Sequence, residues 1–256
     1  MKPQRPLVII LLALLLAGLA AFVLLLVSNP WHSKTLGGIP APVGYTRVSA
    51  EKGSYAEFLR SLPLKKPGSV VHLFTGGRAR LQFLSTGVID LPVLNNYEQC
   101  ADMTMRIRAE YFWKTGQYGK IKFTDVNGKV QAYTGGADRK KLESYLSRVY
   151  GICSTYSVHR ETKPRDVKDV QPGDVLVYPS RHKGHYGHAV LVADVAKTKS
   201  GKVAVMCVEG NTPAREAHVI RNLMNPFRNP WFVLSDNAEW HSISVFQFKK
   251  EELRHY

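Results

Sequence analysis

Residues 99–113 have the sequence QCADMTMRIRAEYFW, and this stretch predicts the helix around which the fold is organised. Apolar side chains recur at Met103, Ile107 and Tyr111, which is the spacing of one helical face. Two asparagines ahead of the stretch are suitable N-caps. Cys100 then lies close to the start of the helix, where it is either a buried thiol or a nucleophile.

The sequence on either side of this helix predicts further elements of both kinds. Residues 55–62 and 138–150 have helical spacing of apolar residues, and residues 120–134 carry an Asn-Gly hairpin turn. Strands are predicted in VVHLF and ARLQFLSTGVIDLPVL, and in the final third, in PGDVLVYPS, GHAVLVADV, KVAVMCVEG and ISVFQF. Together these elements predict one α+β domain, with helices packed on an antiparallel sheet.

The N-terminus contains a different kind of segment. Residues 7–27 are uncharged and apolar, and at about 1.5 Å per residue they match the thickness of a bilayer's hydrocarbon core. Leu26 and Val27 lie where a signal-peptide cleavage site needs small residues, so an uncleaved anchor is favoured. Lys2 and Arg5 precede the segment, which predicts an extracytoplasmic (periplasmic) domain at the bacterial inner (plasma) membrane.

These features divide the chain into an anchor (residues 1–28), a linker rich in Gly, Pro and Ser (29–44) and a domain (45–256). The net charge of +15 makes the membrane surface and anionic cell-wall polymers the expected partners, and an ordinary basic surface is the alternative. No basic run or stacking aromatic motif indicates nucleic-acid binding. The sequence leaves the oligomeric state open.

Two apolar strands, GHAVLVADV and KVAVMCVEG, are predicted to bring a histidine and a glutamate together. A hairpin in which Val195 pairs with Lys202 places His188 opposite Glu209, and directly opposed residues share a face of the sheet. Asn211 lies two residues further along the same face. A slip of one residue would separate the pair, so the prediction depends on this register.

An imidazole that a carboxylate orients is a general base, and a thiol at the start of a helix is a suitable nucleophile for it. The helix dipole and the free N–H groups there favour the thiolate. Cys100, His188 and Glu209 are therefore the candidate catalytic residues, and Gln99 is a candidate oxyanion donor. Taken singly, they are equally a buried thiol, a structural histidine and a carboxylate at a hairpin end.

Further candidates are secondary. Asp102 and Arg106 lie four residues apart on the helix, so they form either a surface ion pair or a cleft contact with a substrate carboxylate. His182, His185 and His188 are evenly spaced, but the segment lacks a zinc-motif spacing, so neither a metal nor a cofactor is expected. His185 remains a secondary candidate for the cleft.

The cysteine count is odd, with thiols at Cys100, Cys153 and Cys207. In an oxidising compartment an odd count leaves at least one thiol unpaired. Cys153 and Cys207 are one possible pair, which would leave Cys100 free, but the sequence does not establish this pairing.

The segments that carry these residues resemble the CHAP family, cysteine- and histidine-dependent amidohydrolases and peptidases of the papain-like, NlpC/P60-related group. The matching segments are QC (99–100), QPGDVLVYP (171–179), GHAVLVADV (187–195) and VEGN (208–211). The resemblance implies that Cys100 attacks an amide carbonyl, with His188 as the base and Glu209, or secondarily Asn211, orienting it. It further implies cleavage of peptidoglycan peptides or amide links.

A second resemblance is to an uncharacterised family of bacterial envelope proteins with a GSFAEFLR…QCAD…RLRAEYL pattern, present here as GSYAEFLRSLPL and QCADMTMRIRAEYFW. The sequence thus predicts a papain-like α+β domain, its cysteine-bearing helix packed on an antiparallel sheet, preceded by one transmembrane helix. The predicted activity is that of a cysteine amidase or endopeptidase in the cell envelope. The alternative is a catalytically silent module that binds envelope polymer through its basic surface.

Overall fold

Helices and strands are interspersed along the chain in the computed structural model, which describes residues 5–27, 33–182 and 185–256. The α-helices of the described residues are α1 (Arg5–Val27), α2 (Tyr55–Ser61), α3 (Cys100–Lys114), α4 (Arg139–Tyr150) and α5 (Thr155–Glu161). The strands are β1 (Thr46–Arg47), β2 (Ser85–Val88), β3 (Lys122–Thr124), β4 (Val130–Ala132), β5 (Lys163–Pro164), β6 (Val175–Tyr178), β7 (His188–Lys197), β8 (Val203–Glu209), β9 (His218–Ile220), β10 (Trp231–Leu234), β11 (Trp240–Ile243), β12 (Phe246–Lys249) and β13 (Leu253–His255).

A nine-stranded antiparallel sheet forms the centre of the fold. Its strand order is β2-β9-β8-β7-β6-β13-β5, with β1 added beside β7 and β10 beside β8. The central strands β7 and β8 are almost wholly buried, which explains why their sequences are continuous apolar runs rather than alternating patterns. The α+β part of the predicted fold is therefore confirmed.

Both faces of the sheet are covered. Met103 and Ile107 of α3 belong to the same buried cluster as Leu191 of β7. On the other face Val190 of β7 packs in a second cluster with Phe248 of the β11–β12 hairpin. Alternate side chains of β7 thus enter two separate cores, and the ends of β7 and β8 meet the start of α3.

The β7–β8 hairpin does not have the predicted register. Val195 pairs with Val205 and not with Lys202. The strands continue to Lys197 and Val203, so the turn has five residues rather than the six of the predicted loop, and the Thr198 N–H donates to the Lys202 carbonyl across it. The prediction was wrong because the length of a polar hairpin loop is poorly determined by its composition.

A β-bulge in β7 places the side chains of the two predicted site residues, His188 and Glu209, on the same face of the sheet. One extra residue, Ala193, lies between the paired positions Val192 and Asp194. Without the bulge, the register on the turn side would direct His188 and Glu209 to opposite faces of the sheet. The bulge shifts the ladder by one residue and returns both side chains to the same face.

A buried aspartate next to the bulge forms ion pairs with neighbouring elements. Asp194 is fully buried, and it accepts hydrogen bonds from Arg47 of β1 at 2.5 Å and from the Nη2 atom of Arg60 in α2 at 2.7 Å. A buried carboxylate needs such partners, because desolvation otherwise makes its charge costly. The two ion pairs therefore connect the bulge to its neighbours on that face.

The apolar segment near the N-terminus forms α1, whose side chains are described over residues 8–21. Within the described part of the chain, no helix is both long and apolar enough to cross a membrane. The prediction of a transmembrane helix before the domain is therefore contradicted. Residues 1–4 and 28 of the predicted anchor lie outside the described residues.

The predicted linker is described from residue 33 onward, and residues 29–32 lie outside the described part. Leu36 and Ile39 are fully buried in the core that also contains Leu59 of α2. The Leu36 N–H also donates to the carbonyl of Leu62. These residues of the predicted linker therefore belong to the packed domain.

Several local predictions are confirmed and others are corrected. The helices α2 and α4 and the β3–β4 hairpin occupy the predicted residues. The helix α3 begins at Cys100 itself, because the Asn95 side chain instead accepts the Tyr97 N–H in a preceding turn. ISVFQF is not one strand, since Ser244 has a positive φ of 55° between β11 and β12. VVHLF forms only isolated bridges.

Candidate active site

Cys100 is the first residue of α3, at the edge of the central sheet. Gln99 is the N-cap, and its backbone N–H donates to Asp102 Oδ2 at 3.1 Å. Gly210, just after β8, allows this close approach: a Cβ there would lie 3.1 Å from Met103 Cβ and 3.2 Å from the Gln99 carbonyl oxygen. The Glu-Gly pair in VEGN therefore brings the end of β8 against the start of α3.

His188 lies between the thiol and the carboxylate. Its Nε2 atom is 2.8 Å from Glu209 Oε2, and its side chain also interacts with the Cys100 thiol. Burial alone would lower the pKa of His188, but the interactions with Cys100 and Glu209 outweigh it and raise the pKa to about 9. The imidazole is therefore stabilised in its protonated form between two groups that carry or develop negative charge.

Glu209 accepts from two histidines. Besides His188, the Nε2 atom of His218 lies 3.3 Å from Glu209 Oε1, and Glu209 pairs directly with His218 across β8 and β9. Burial would raise the pKa of Glu209, but these two histidines lower it to about 2. The carboxylate thus stays ionised, which is the state that orients an imidazole.

The ring of His188 is also held by packing. Phe246 of β12 stacks on it with ring centroids 3.7 Å apart and planes 17° from parallel. Gly187 precedes it in a space with no room for a side chain, because a Cβ would overlap Thr155 Oγ1 and lie 2.5 Å from the Tyr178 carbonyl oxygen. The imidazole plane is therefore fixed by the aromatic ring, and its backbone by close packing.

A cavity of about 150 Å³ opens beside the thiol, and two of the secondary candidates line it. Gln99 accepts a hydrogen bond from the Thr212 hydroxyl at 2.8 Å through Oε1, which leaves its NH₂ group as the donating end. Asp102 is buried, and burial raises its pKa well above the usual range despite the Gln99 N–H bond. Cys100, Gln99 and Asp102 are thus brought to one cavity.

The other secondary candidates lie elsewhere. Arg106 is fully buried and pairs with Glu98 and Glu110 rather than with Asp102, so it lines no part of the cavity beside Cys100. The Asn211 side chain accepts the Thr212 N–H and lines a separate cleft together with Glu209. The exposed His185 has its ring against that of His182.

The three cysteines are all unpaired and buried. Cys153 and Cys207 therefore do not form the disulfide that the cysteine count left open. Burial raises the pKa of Cys153 to about 12 and that of Cys207 further, so both are held as neutral thiols. Of the three thiols, the structure gives only Cys100 an interacting imidazole.

Sequence reasoning missed His218 and Phe246. No strand was predicted at His218, although it lies in EAHVI, whose alternating pattern indicates the third strand that pairs with β8, and the strand that contains Phe246 was not paired with the site. Phe246 belongs to a stretch treated as one strand. Its contact with His188 joins positions 58 residues apart, and no local pattern reveals such a contact.

The region around the site also contains a larger cleft, of about 610 Å³, which Glu209 lines. Its lining includes Arg78, Arg80 and Arg215 together with His218. A small cavity thus lies beside the thiol, and Glu209 lines a broad basic cleft.

Comparison with known proteins gives one result. No curated protein and no solved structure matches the chain. A family model described as "Domain of unknown function (4846)" matches residues 37–137 and 130–255, which together cover most of the chain. The chain therefore belongs to this family of domains of unknown function.

Proposed function

We propose that the chain is a cysteine hydrolase that cleaves amide bonds. The observation that carries the proposal is the position of the His188 ring, which interacts with the Cys100 thiol and lies 2.8 Å from the Glu209 carboxylate. The three side chains come from α3 and from the consecutive strands β7 and β8, and α3 is far from these two strands in sequence. Burial and the stacked Phe246 ring support a preorganised nucleophile and base.

The proposed reaction has two steps. In the first, the Cys100 thiolate attacks the amide carbonyl carbon, and the protonated His188 gives its proton to the leaving amine, so that a thioester forms and the C–N bond breaks. The developing oxyanion is stabilised by N–H groups at the start of α3 and by the Gln99 NH₂ group. In the second step, His188 takes a proton from water, the hydroxide attacks the thioester, and the Cys100 thiolate leaves.

The substrate class is part of the same proposal. The resemblance to CHAP enzymes favours an amide in cell-wall peptide or a related envelope substrate. An extracytoplasmic location is a prediction from the N-terminal sequence that fits such a substrate. The papain-like relationship likewise remains a prediction, supported by a cysteine at a helix start that meets a histidine on the adjoining sheet.

Digestion of purified peptidoglycan peptides tests the proposal. The wild-type chain is expected to release new amino and carboxyl ends, and Cys100→Ala is expected to reduce the rate more than about a thousandfold, since loss of a nucleophile removes the covalent route. Cys207→Ala is the matched control, because it removes a buried thiol that lies outside the cavity beside Cys100. Equal products from wild type and Cys100→Ala would reject the assignment for this substrate.

Alkylation provides a substrate-free test of the same nucleophile. Brief treatment with iodoacetamide at neutral pH is expected to modify Cys100 at least tenfold faster than Cys153 and Cys207, whose pKa values burial raises. Peptide mapping by mass spectrometry measures all three thiols in one sample. A His188→Asn variant is expected to lose the difference, and equal labelling of the three thiols in the wild type would contradict the proposal.

A further inference from the structure

The cavity beside Cys100 contains a buried polar atom that the site chemistry does not use. Asp102 is 6% exposed, and its Oδ2 atom accepts the Gln99 N–H, but its Oδ1 atom has no hydrogen-bond partner among the described residues. Buried polar atoms in folded proteins are nearly always bonded, and an exception calls for an explanation. Because Asp102 lines the cavity, a ligand in that cavity is the natural partner for Oδ1.

The charge of the cavity restricts what that ligand can be. Asp102 is the only Asp, Glu, Lys or Arg among its described lining residues, although the chain as a whole carries a net charge of +15. The nearby basic residue Arg106 is already paired with Glu98 and Glu110. The space next to the nucleophile is therefore a local acidic site in a basic protein, which suits a small cation.

The chemistry of one free carboxylate oxygen favours a primary ammonium group. Its N–H groups can bond to Asp102 Oδ1 and to neutral neighbours such as the Tyr150 and Thr155 oxygens, which also line the cavity. A volume of about 150 Å³ accommodates an ammonium on a short stem. Since Asp102 lies two residues after Cys100, the ammonium would lie close to the carbonyl that the thiol attacks.

We infer that Asp102 forms a subsite that binds a primary ammonium group of the substrate next to the scissile amide. This inference deepens the proposed function. It rests on that function because it takes the ligand to be a substrate. The subsite favours an amide whose acyl part carries a free amino group over one whose amino group is acylated.

A stability measurement separates this role from a merely structural one. Burial raises the pKa of Asp102 well above its usual range, so the folded state disfavours the carboxylate relative to the unfolded chain. The Asp102 carboxylate therefore lowers the free energy of unfolding at pH values above the usual carboxyl pKa. Asp102→Asn keeps an acceptor for the Gln99 N–H and removes this cost. The ligand-free variant is expected to be at least as stable as the wild type, whereas a structural carboxylate would leave it less stable.

Binding of two small probes tests the subsite without any turnover. In the full chain carrying Cys100→Ala, calorimetry is expected to show binding of L-alaninamide and at least tenfold weaker binding of N-acetyl-L-alaninamide. Adding Asp102→Asn is expected to weaken L-alaninamide binding at least tenfold. Asp138→Asn is the matched control, because Asp138 also accepts a backbone N–H at a helix start but lies outside the cavity.

The outcomes distinguish the two proposals. Equal affinity for both probes, absence of binding by either probe, or an Asp102→Asn variant that binds L-alaninamide as before would overturn the subsite. Selective binding of L-alaninamide by a wild-type chain that shows neither Cys100 labelling nor hydrolysis would support the subsite and reject the hydrolase.

Discussion

Glu209 is the residue on which the site depends most, because a single buried carboxylate orients His188 and also pairs with His218. Removing one partner of such a buried group leaves the other charge without compensation. The effect of a substitution here should therefore appear in stability as well as in catalysis, and its size should depend on pH.

We predict that Glu209→Gln lowers the free energy of unfolding by roughly 3 kcal/mol between pH 4.5 and 6.5. The pKa of Glu209 falls from 4.5 to about 2 on folding, so its contribution is present above pH 4.5 and is lost as the pH falls towards 2. The pKa of His188 rises from 6.5 to about 9, so its contribution is present below pH 6.5 and is lost as the pH rises through 9.

Urea unfolding at pH 5.5 and at pH 9.5 measures this difference between wild type and Glu209→Gln. The gap, which is the difference in free energy of unfolding between wild type and variant, is expected to be smaller at pH 9.5. Glu143→Gln, which removes a half-exposed partner of Arg139, serves as the control and should change stability by less than about 1 kcal/mol at both values. A gap of the same size at both pH values would show that the His188–Glu209 pair is not its source.

At this scale the sequence predicted the three central residues but not their neighbours. Cys100, His188 and Glu209 follow from residue type and strand pattern. Arg106 was misplaced, because the helical spacing gave no sign that Glu98, from the loop before α3, would take up its guanidinium. His218 and Phe246 depend on strand pairings that only the assembled sheet determines.

At the level of elements, two glycines determine how closely the end of β8 approaches α3 and how closely the start of β7 approaches β6 and α5. The space at Gly187 is closed by backbone, whereas the contacts at Gly210 are a few tenths of an ångström too close for a Cβ. The first position therefore controls folding, and the second controls the placement of Cys100.

We predict that Gly187→Ala destabilises the fold by about 2 kcal/mol or more, since an added Cβ overlaps fixed atoms. Gly210→Ala is expected to retain the fold and to slow the alkylation of Cys100 several-fold, because it displaces the start of α3 slightly. Gly119→Ala, where a Cβ meets open space, is the matched control for both. Thermal unfolding and the labelling rate are the measurements. Unchanged labelling in Gly210→Ala would disprove the positional role.

The existence of β7 and β8 was evident from their apolar runs, but their register was not. The polar turn and the bulge each change the register, and the two effects partly compensate, which is why His188 and Glu209 meet although the predicted pairing was wrong. The short strands beside the site, with two to four residues each, carry too little pattern to be recognised singly.

On the scale of the whole molecule, the net charge of +15 is the dominant property beyond the site. Arg78, Arg80 and Arg215 concentrate part of that charge around the cleft next to Glu209. We expect this basic surface to attract anionic polymers. The composition predicted the net charge, but only the fold shows that part of it lies around this cleft.

We predict that the chain binds poly-L-glutamate and that the affinity falls at least tenfold between about 0.05 and 0.5 M salt, because screening shortens the range of the attraction. Arg78→Ala with Arg80→Ala should weaken binding more than Lys163→Ala with Lys168→Ala, which removes the same charge from exposed positions outside the cleft. Cys100→Ala should bind like the wild type. Equal losses from both double variants would place the binding on the general surface.

The bulge at Ala193 also has a consequence for how the chain tolerates changes of length. Deleting Ala193 would leave each remaining residue of β7 opposite its present partner, so the inward and outward orientations would survive. Deleting Val190 instead would turn the side chains of His188 and Ala189 to the opposite face of the sheet. The bulge is thus a position in β7 where a residue can be removed without changing which face of the sheet the other side chains occupy.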